Sequence, residues 1–278
     1  MRNFKDKVVV ITGGAKGIGG ALALMMAKDQ AKVAILDFDD QETAKKVNEL
    51  NAYSVARGYH LNVSDYNGCV EVMNNVIKDF GDIDVLINNA GTSHRSMFYE
   101  TKIETIKKVI DINEMGTIYA THAAIKSIIK TKGQIVATIS VAGFTPLVGR
   151  VGYCASKHAI VGIMNTLRSE YKNFGVRVTT VCPTFVKTDL EKTAMGPDGK
   201  AVDSKRTTAG KVLTTEKAAE LLYSAIKKEK KNYYLGFTAK MAHLLSFFFP
   251  SWYENIMIKK TKPEFKKEFT DLAEGNIQ

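Results

Sequence analysis

Tyr153 and Lys157 stand four residues apart in Val151-Gly-Tyr-Cys-Ala-Ser-Lys-His158, a segment with the apolar and small residues of a helix. At 3.6 residues per turn that spacing puts both side chains on one face. A phenol beside a fixed ammonium can give and take a proton near neutral pH. An unperturbed tyrosine titrates near ~10, so the neutral range requires a shift of about three units, or roughly 4 kcal/mol. One lysine charge at about 4 Å in an effective dielectric of about 20 supplies that amount. The same spacing also occurs where a surface phenol merely neighbours a solvated amine, so the pair gains meaning only from what accompanies it.

Its companions begin at the amino terminus. Lys7-Val-Val-Val-Ile-Thr-Gly-Gly-Ala-Lys-Gly-Ile-Gly-Gly20 reads as a short β-branched strand ending in glycines, followed by the strong helix former Ala21-Leu-Ala-Leu-Met-Met-Ala27. Glycines at 13, 17 and 19 permit a tight turn and close approach of backbone to a ligand. The helix behind them offers free amide N–H groups and a positive dipole end, which suits a pyrophosphate. The second strand, Lys32-Val-Ala-Ile-Leu-Asp37, ends in a carboxylate about twenty residues beyond that turn. There it can accept both ribose hydroxyls of an adenosine and repel a 2′-phosphate, which favours NAD(H). Lys16 in the turn pulls the other way, since a cation there can pair with a 2′-phosphate, and NADP(H) is not excluded.

With these residues in place the chain resembles the short-chain dehydrogenase/reductase family from about residue 5 to 236. Thr12-Gly13-x-x-x-Gly17-x-Gly19 is similar to its cofactor turn, and Asn88-Asn89-Ala90-Gly91 to its motif after the fourth strand. Ser140 lies thirteen residues before Tyr153 in Ile139-Ser-Val-Ala-Gly143, as the family's catalytic serine does. Asn113 resembles the asparagine of its catalytic tetrad, and Cys182-Pro183-Thr184 with Thr188 its segment near the nicotinamide. The resemblance implies a catalytic set of Asn113, Ser140, Tyr153 and Lys157. It implies cofactor contacts from Gly13, Lys16, Gly17, Ile18, Gly19, Asp37, Asn62, Val63, Asn89, Ala90, Gly91, Tyr153, Lys157, Pro183, Val186 and Thr188.

In that scheme Tyr153 protonates the developing alkoxide or deprotonates the alcohol. Lys157 lowers the tyrosine's pKa and grips the nicotinamide ribose. Ser140 donates to the substrate oxygen, and Asn113 holds a water that links Lys157 to solvent. Two departures stand out. Asn62 replaces the usual aspartate near the adenine, where its amide oxygen can still accept the amino hydrogen. Thr184 replaces a glycine beside the nicotinamide.

These residues need a scaffold, and the alternation of strand and helix patterns supplies one. Strands are expected near 7–12, 32–37, 53–61, 83–88, 133–140, 176–182 and 232–236, with helices in most gaps, including Val70–Ile77 and Ile160–Leu167. The pattern favours one doubly wound, Rossmann-type α/β domain, and the resemblance implies a seven-stranded parallel sheet. Residues 1–237 read as the dinucleotide-binding and catalytic part and 238–278 as a carboxy-terminal extension. The family commonly pairs through two long helices, here near 102–130 and 151–174, so a homodimer or homotetramer is implied.

Composition bounds the rest. Three cysteines form no Cys-x-x-Cys pair, and Met1-Arg-Asn-Phe-Lys-Asp-Lys7 lacks the apolar stretch of a signal peptide, so a reducing cytoplasm is expected. The five histidines are scattered, with no metal-ligand spacing. A formal charge of +10 invites a nucleic-acid partner, but the lysines are spread over helix surfaces and no arginine-rich stripe interleaves with aromatics.

The substrate must be read from the variable regions. Residues 188–213 form a long Thr-, Lys-, Gly- and Asp-bearing segment that closes over the substrate in the family. The extension carries Met241-Ala-His-Leu-Leu-Ser-Phe-Phe-Phe-Pro-Ser-Trp-Tyr253 and then Lys259-Lys-Thr-Lys262. Pro250 and the polar interruptions argue against a spanning helix. It reads as a flap over the substrate cavity, as a segment resting on a membrane surface, or as packing against a second subunit. The first two suit a bulky lipophilic alcohol or ketone in lipid metabolism, with a hydroxysteroid or bile acid leading. An NADPH-dependent ketoacyl-thioester reductase and a non-catalytic, dinucleotide-responsive binding protein are the alternatives.

Overall fold

The computed structural model describes residues 1–183, 185–187, 193–202 and 212–275. In chain order it runs β1 (Val8–Thr12), α1 (Gly17–Lys28), β2 (Lys32–Asp37), α2 (Asp40–Leu50), β3 (Ala56–His60), α3 (Tyr66–Phe80) and β4 (Val85–Asn88). Then follow α4 (Ile103–Ile110), a π-helical turn (Asp111–Met115), α5 (Gly116–Lys130), β5 (Gln134–Thr138) and α6 (Val151–Tyr171). The chain continues through β6 (Arg177–Cys182), α7 (Thr215–Lys227), β7 (Asn232–Tyr234), α8 (Gly236–Phe248), α9 (Pro250–Thr261) and α10 (Lys266–Ala273).

The seven strands form one parallel sheet in the order β3-β2-β1-β4-β5-β6-β7. Each central strand is apolar on both faces because helices cover both. Val8 and Val10 of β1, Ala34 and Leu36 of β2 and Leu86 of β4 pack with α3, α5 and α6. Their alternates Val9, Ile11, Val33, Ile35, Val85 and Ile87 pack with α1 and α7. The strand order reverses between β1 and β4, and the crevice outside the carboxyl ends of those strands is where such sheets bind ligands.

Element boundaries move at three places. β3 begins at Ala56 rather than near 53, since residues 51–54 turn and Asn51 Oδ1 accepts from Ala56 N at 2.8 Å. β7 stops at Tyr234, and Gly236, at φ +79°, turns the chain into α8. The helix expected over 102–130 is interrupted by the π turn that carries Asn113. The extension packs onto the same domain: Phe265 is buried, and its ring fills the space that a side chain on Gly149 would need. Among the described residues no helix is long and apolar enough to cross a membrane.

Candidate active site

The cofactor turn is built by exclusion of side chains. Gly13 sits at φ +60° and Gly17 at φ +56°, a region L-residues rarely adopt. A Cβ on Gly13 would stand 2.8 Å from Ala90 Cα, and one on Gly19 2.2 Å from the Gly13 carbonyl. Thr12 Oγ1 staples this turn to the end of β4, accepting from Asn89 N at 3.1 Å and Ala90 N at 3.2 Å. Asn89 Nδ2 returns a bond to the Gly13 carbonyl at 3.0 Å. No side chain caps the start of α1 and its first turn holds no acid, so its amides are left for an anion. Ile18 and Val186 share one small apolar cluster, which joins this turn to the segment after β6.

At the end of β2, Asp37 is buried and its two oxygens accept from Ala15 N at 3.1 Å and Asp39 N at 3.2 Å. Those bonds fix a carboxylate where an adenosine ribose would lie. Lys16 pairs with Asp39 Oδ2 at 2.7 Å. Asn62 Oδ1 accepts from both Ser64 N at 3.1 Å and Ser64 Oγ at 2.8 Å. Val63 is buried against Gly116, where a Cβ would come within 2.8 Å of Val63 Cγ2.

The residues expected to handle the proton converge on the first turns of α6. Lys157 is buried and donates to the Thr138 carbonyl, the last residue of β5, at 2.9 Å. Burial pushes its amine down to about 8, against a small opposing influence of the Cys182 thiol. The amine lies 5.8 Å from the centre of the Tyr153 ring. A cation held beside a phenol favours its anionic form.

Asn113 is fully buried on the π turn, a distortion common at functional sites. Its Oδ1 accepts from Thr92 N at 2.7 Å, and its Nδ2 donates to the Thr92 carbonyl and to Ser156 Oγ, both at 3.0 Å. Ser156 Oγ in turn donates to the Tyr153 carbonyl at 2.9 Å. The amide thus clamps the loop after β4 to the turn that carries Tyr153. The Asn113 main-chain carbonyl accepts from Thr117 Oγ1 at 2.7 Å. Gly91 makes the assembly possible: a Cβ there would lie 3.1 Å from Asn113 Oδ1 and 3.7 Å from Lys157 Nζ.

Ser140 follows β5 and caps the short 3₁₀ turn Val141–Gly143, its Oγ accepting from Ala142 N at 3.3 Å. The hydroxyl keeps its proton to donate. A Cβ on Gly143 would lie 3.0 Å from the Lys157 carbonyl, so this turn and α6 touch. Pro183 is buried just past β6, whereas Thr184 and Thr188 lie outside the described residues, as does much of 188–213.

Two anchors of α6 were not read from the sequence. His94 is fully buried, and its Nε2 accepts from Gly152 N at 2.9 Å, a histidine serving as the cap of the catalytic helix. Its Nδ1 then donates to Ser96 Oγ at 3.4 Å, Ser96 to Thr101 Oγ1 at 2.8 Å, and Thr101 to the Met97 carbonyl at 2.6 Å. Burial, and then the Arg150 charge, push this imidazole down to about 4, so it is neutral when it caps. The second anchor is Glu264, almost wholly buried between Arg95, at 3.2 Å, and Arg150, at 2.5 Å. Arg150 is the residue before α6 and also lies over the Phe265 ring. No local motif announces either contact; the composition offers only a histidine and a glutamate among many.

Known proteins are similar to this chain in sequence and fold. The profile of the short chain dehydrogenase family matches residues 7–197. Meso-2,3-butanediol dehydrogenase of Serratia marcescens is 35% identical over 187 residues, covering 67% of this chain and 74% of its own length. Dehydrogenase/reductase SDR family member 7B of Rattus norvegicus is 29% identical over 277 residues, 95% of this chain and 84% of that one. Among solved structures, a short chain dehydrogenase/reductase of Burkholderia phymatum in complex with NAD aligns with a TM-score of 0.78 and 25% identity over 94% of this chain and 97% of that chain. An alcohol dehydrogenase of the archaeon Thermococcus sibiricus, complexed with 5-hydroxy-NADP, gives 0.71 and 27% over 82% and 94%. A profile match across most of the chain, with a solved member of the family aligning over 94% of it, leaves one conclusion: the protein is a member of the short chain dehydrogenase family of oxidoreductases.

Proposed function

We propose that the protein interconverts a secondary alcohol and a ketone on a lipophilic substrate, with NAD(H) as the favoured cofactor. The observation that carries the reading is the buried Lys157 amine, tied to the Thr138 carbonyl and set beneath the Tyr153 ring. A bound nicotinamide takes up or delivers the hydride. Tyr153 moves the proton at the substrate oxygen, Lys157 biases the phenol toward its anion, and Ser140 donates to the oxygen as charge builds there. Asn113 acts by position, holding the turn that presents Tyr153.

The cradle suits a dinucleotide, since the collisions at Gly13 and Gly19 show backbone kept bare and the amides of α1 face it uncapped. Asp37, held by two amides, and Lys16, neutralised by Asp39, both support NAD over NADP. Relatives named for oxidation of a secondary diol and neighbours holding NAD and an NADP derivative are consistent with the chemistry. Support for a lipophilic substrate comes from the apolar extension packed beside the Ser140 turn, where His243 lies 4.8 Å from the Phe144 ring and stacks on Tyr234 at 4.9 Å.

The test is a screen of secondary alcohols and ketones, steroids and other lipids included, followed at the reduced-nicotinamide absorbance with both cofactors. Turnover with preference for NAD is expected. Preference for NADPH with ketoacyl thioesters would instead favour the reductase reading, and no turnover of any alcohol or ketone would defeat the proposal.

A further inference from the structure

α8 breaks a rule of surface helices. A helix that is apolar all round is normally buried. Here Ala239 and Ala242 are buried and His243 packs on Phe144 and Tyr234, so the inner face already has its partners. Yet the outer face, spaced at three and four residues, presents Phe237, Lys240, Leu244, Phe247 and Phe248 to solvent. Phe237 is 77% exposed, Phe247 74% and Phe248 64%. Past the bend at Pro250 the crest continues with Phe249 at 60% and Trp252 at 55%. Soluble monomers do not leave so many large apolar side chains adjacent without a use.

We propose that this crest docks the protein on an anionic lipid surface. The charge around it selects that occupant. Residues 236–253 hold no carboxylate, and 236–263 carry Lys240, Lys259, Lys260 and Lys262 against Glu254 alone. A second copy of the chain, joined about a two-fold axis, would bring that lysine rim against its own image. Lipid phosphates meet it with opposite charge. Phenylalanine and tryptophan beside lysine are the residues that settle at the boundary between headgroups and acyl chains. The proposal concerns this face only and stands whatever alcohol the site turns over.

Trp252 is the chain's single tryptophan and lies within the crest, so its emission reports on the face directly. The full chain would be sedimented with vesicles of phosphatidylglycerol and phosphatidylcholine, and with vesicles of phosphatidylcholine alone. Expected are binding to the anionic vesicles, a blue shift of Trp252 emission, and quenching by brominated acyl chains. The Phe247→Glu/Phe248→Glu variant should lose at least tenfold in vesicle affinity while keeping its melting temperature and its turnover of a water-soluble secondary alcohol. Equal binding to both vesicle types would overturn the anionic requirement and with it the proposal. So would no binding to either, including the case where the protein forms a concentration-dependent dimer that the same variant dissolves. Turnover is read separately from sedimentation, so a failed substrate assignment and a failed docking surface give different results.

Discussion

Two sets of buried contacts converge on the turn that carries Tyr153, and they differ in chemistry and in reach. From the amino-terminal side the links are neutral hydrogen bonds: Thr92 to Asn113, Asn113 to Ser156, Ser156 to the Tyr153 carbonyl. Each is short and directional, so each fixes the position of an atom. From the carboxy-terminal side the link is ionic and packed: Glu264 between Arg95 and Arg150, with Phe265 seated on Gly149. A buried ion pair costs most of what it gains in desolvation, but losing one partner strands a charge. The first set sets geometry, the second holds the segment in place. A defect in the first should therefore show in turnover, and a defect in the second in stability.

The sharpest way to break that contrast is Glu264→Ala. It leaves two guanidinium groups buried without their carboxylate and should cost about 3–5 kcal/mol. For a chain of this size the melting temperature would fall by roughly 10 °C. A variant that melts with the wild type would show that the triad holds nothing.

Lys157 gives the next effect. Its folded pKa, about 8, lies below the ordinary 10.5, so folding disfavours the charged amine. The penalty is present in full below pH 8, and stability is regained as pH rises from about 8 to about 10.5, by roughly 3 kcal/mol. Lys157→Met lacks that titration, so the stability gap between variant and wild type should change across this window and be flat below it. Denaturant melts at a series of pH values would show this.

His94→Ala should cost about 2 kcal/mol, because it leaves the buried Gly152 N–H without an acceptor. The wild type should also lose stability as pH falls from about 6.5 toward 4, where the unfolded imidazole takes a proton the folded one refuses. Asp37→Ser is the smallest change, moving the ratio of kcat/KM for NAD over NADP about tenfold toward NADP, with about 1 kcal/mol of stability lost because one of the amides it accepts from gives up its partner.

The same contrast explains what the sequence could reveal. The sheet was legible because the central strands are short runs rich in apolar and β-branched residues, and the turn after β1 because Gly13, Gly17 and Gly19 are forced by backbone geometry. Tyr153 and Lys157 were legible because four residues on a helix fix a shared face. The Lys16–Asp39 pair could not be read, since the two lie 23 residues apart and a cation's partner is invisible until the chain folds. The bond from Ser64 to Asn62, two residues back, was equally hidden, since an amide's partner is not fixed by spacing alone. Glu264 and Arg150 are 114 residues apart, and no periodicity spans that distance. The extension was recognised as apolar, but its division into an inner face on Phe144 and an outer face toward solvent required the coordinates.

The central claim is that the Tyr153 phenol moves the proton while a cofactor takes the hydride. It is tested most directly by oxidation of a secondary alcohol, followed at the reduced-nicotinamide absorbance, for the wild type and Tyr153→Phe side by side. The account predicts wild-type turnover that falls by about 10²–10⁴ in the variant, with NADH affinity unchanged. A Tyr153→Phe protein that oxidises the alcohol at the wild-type rate would contradict it.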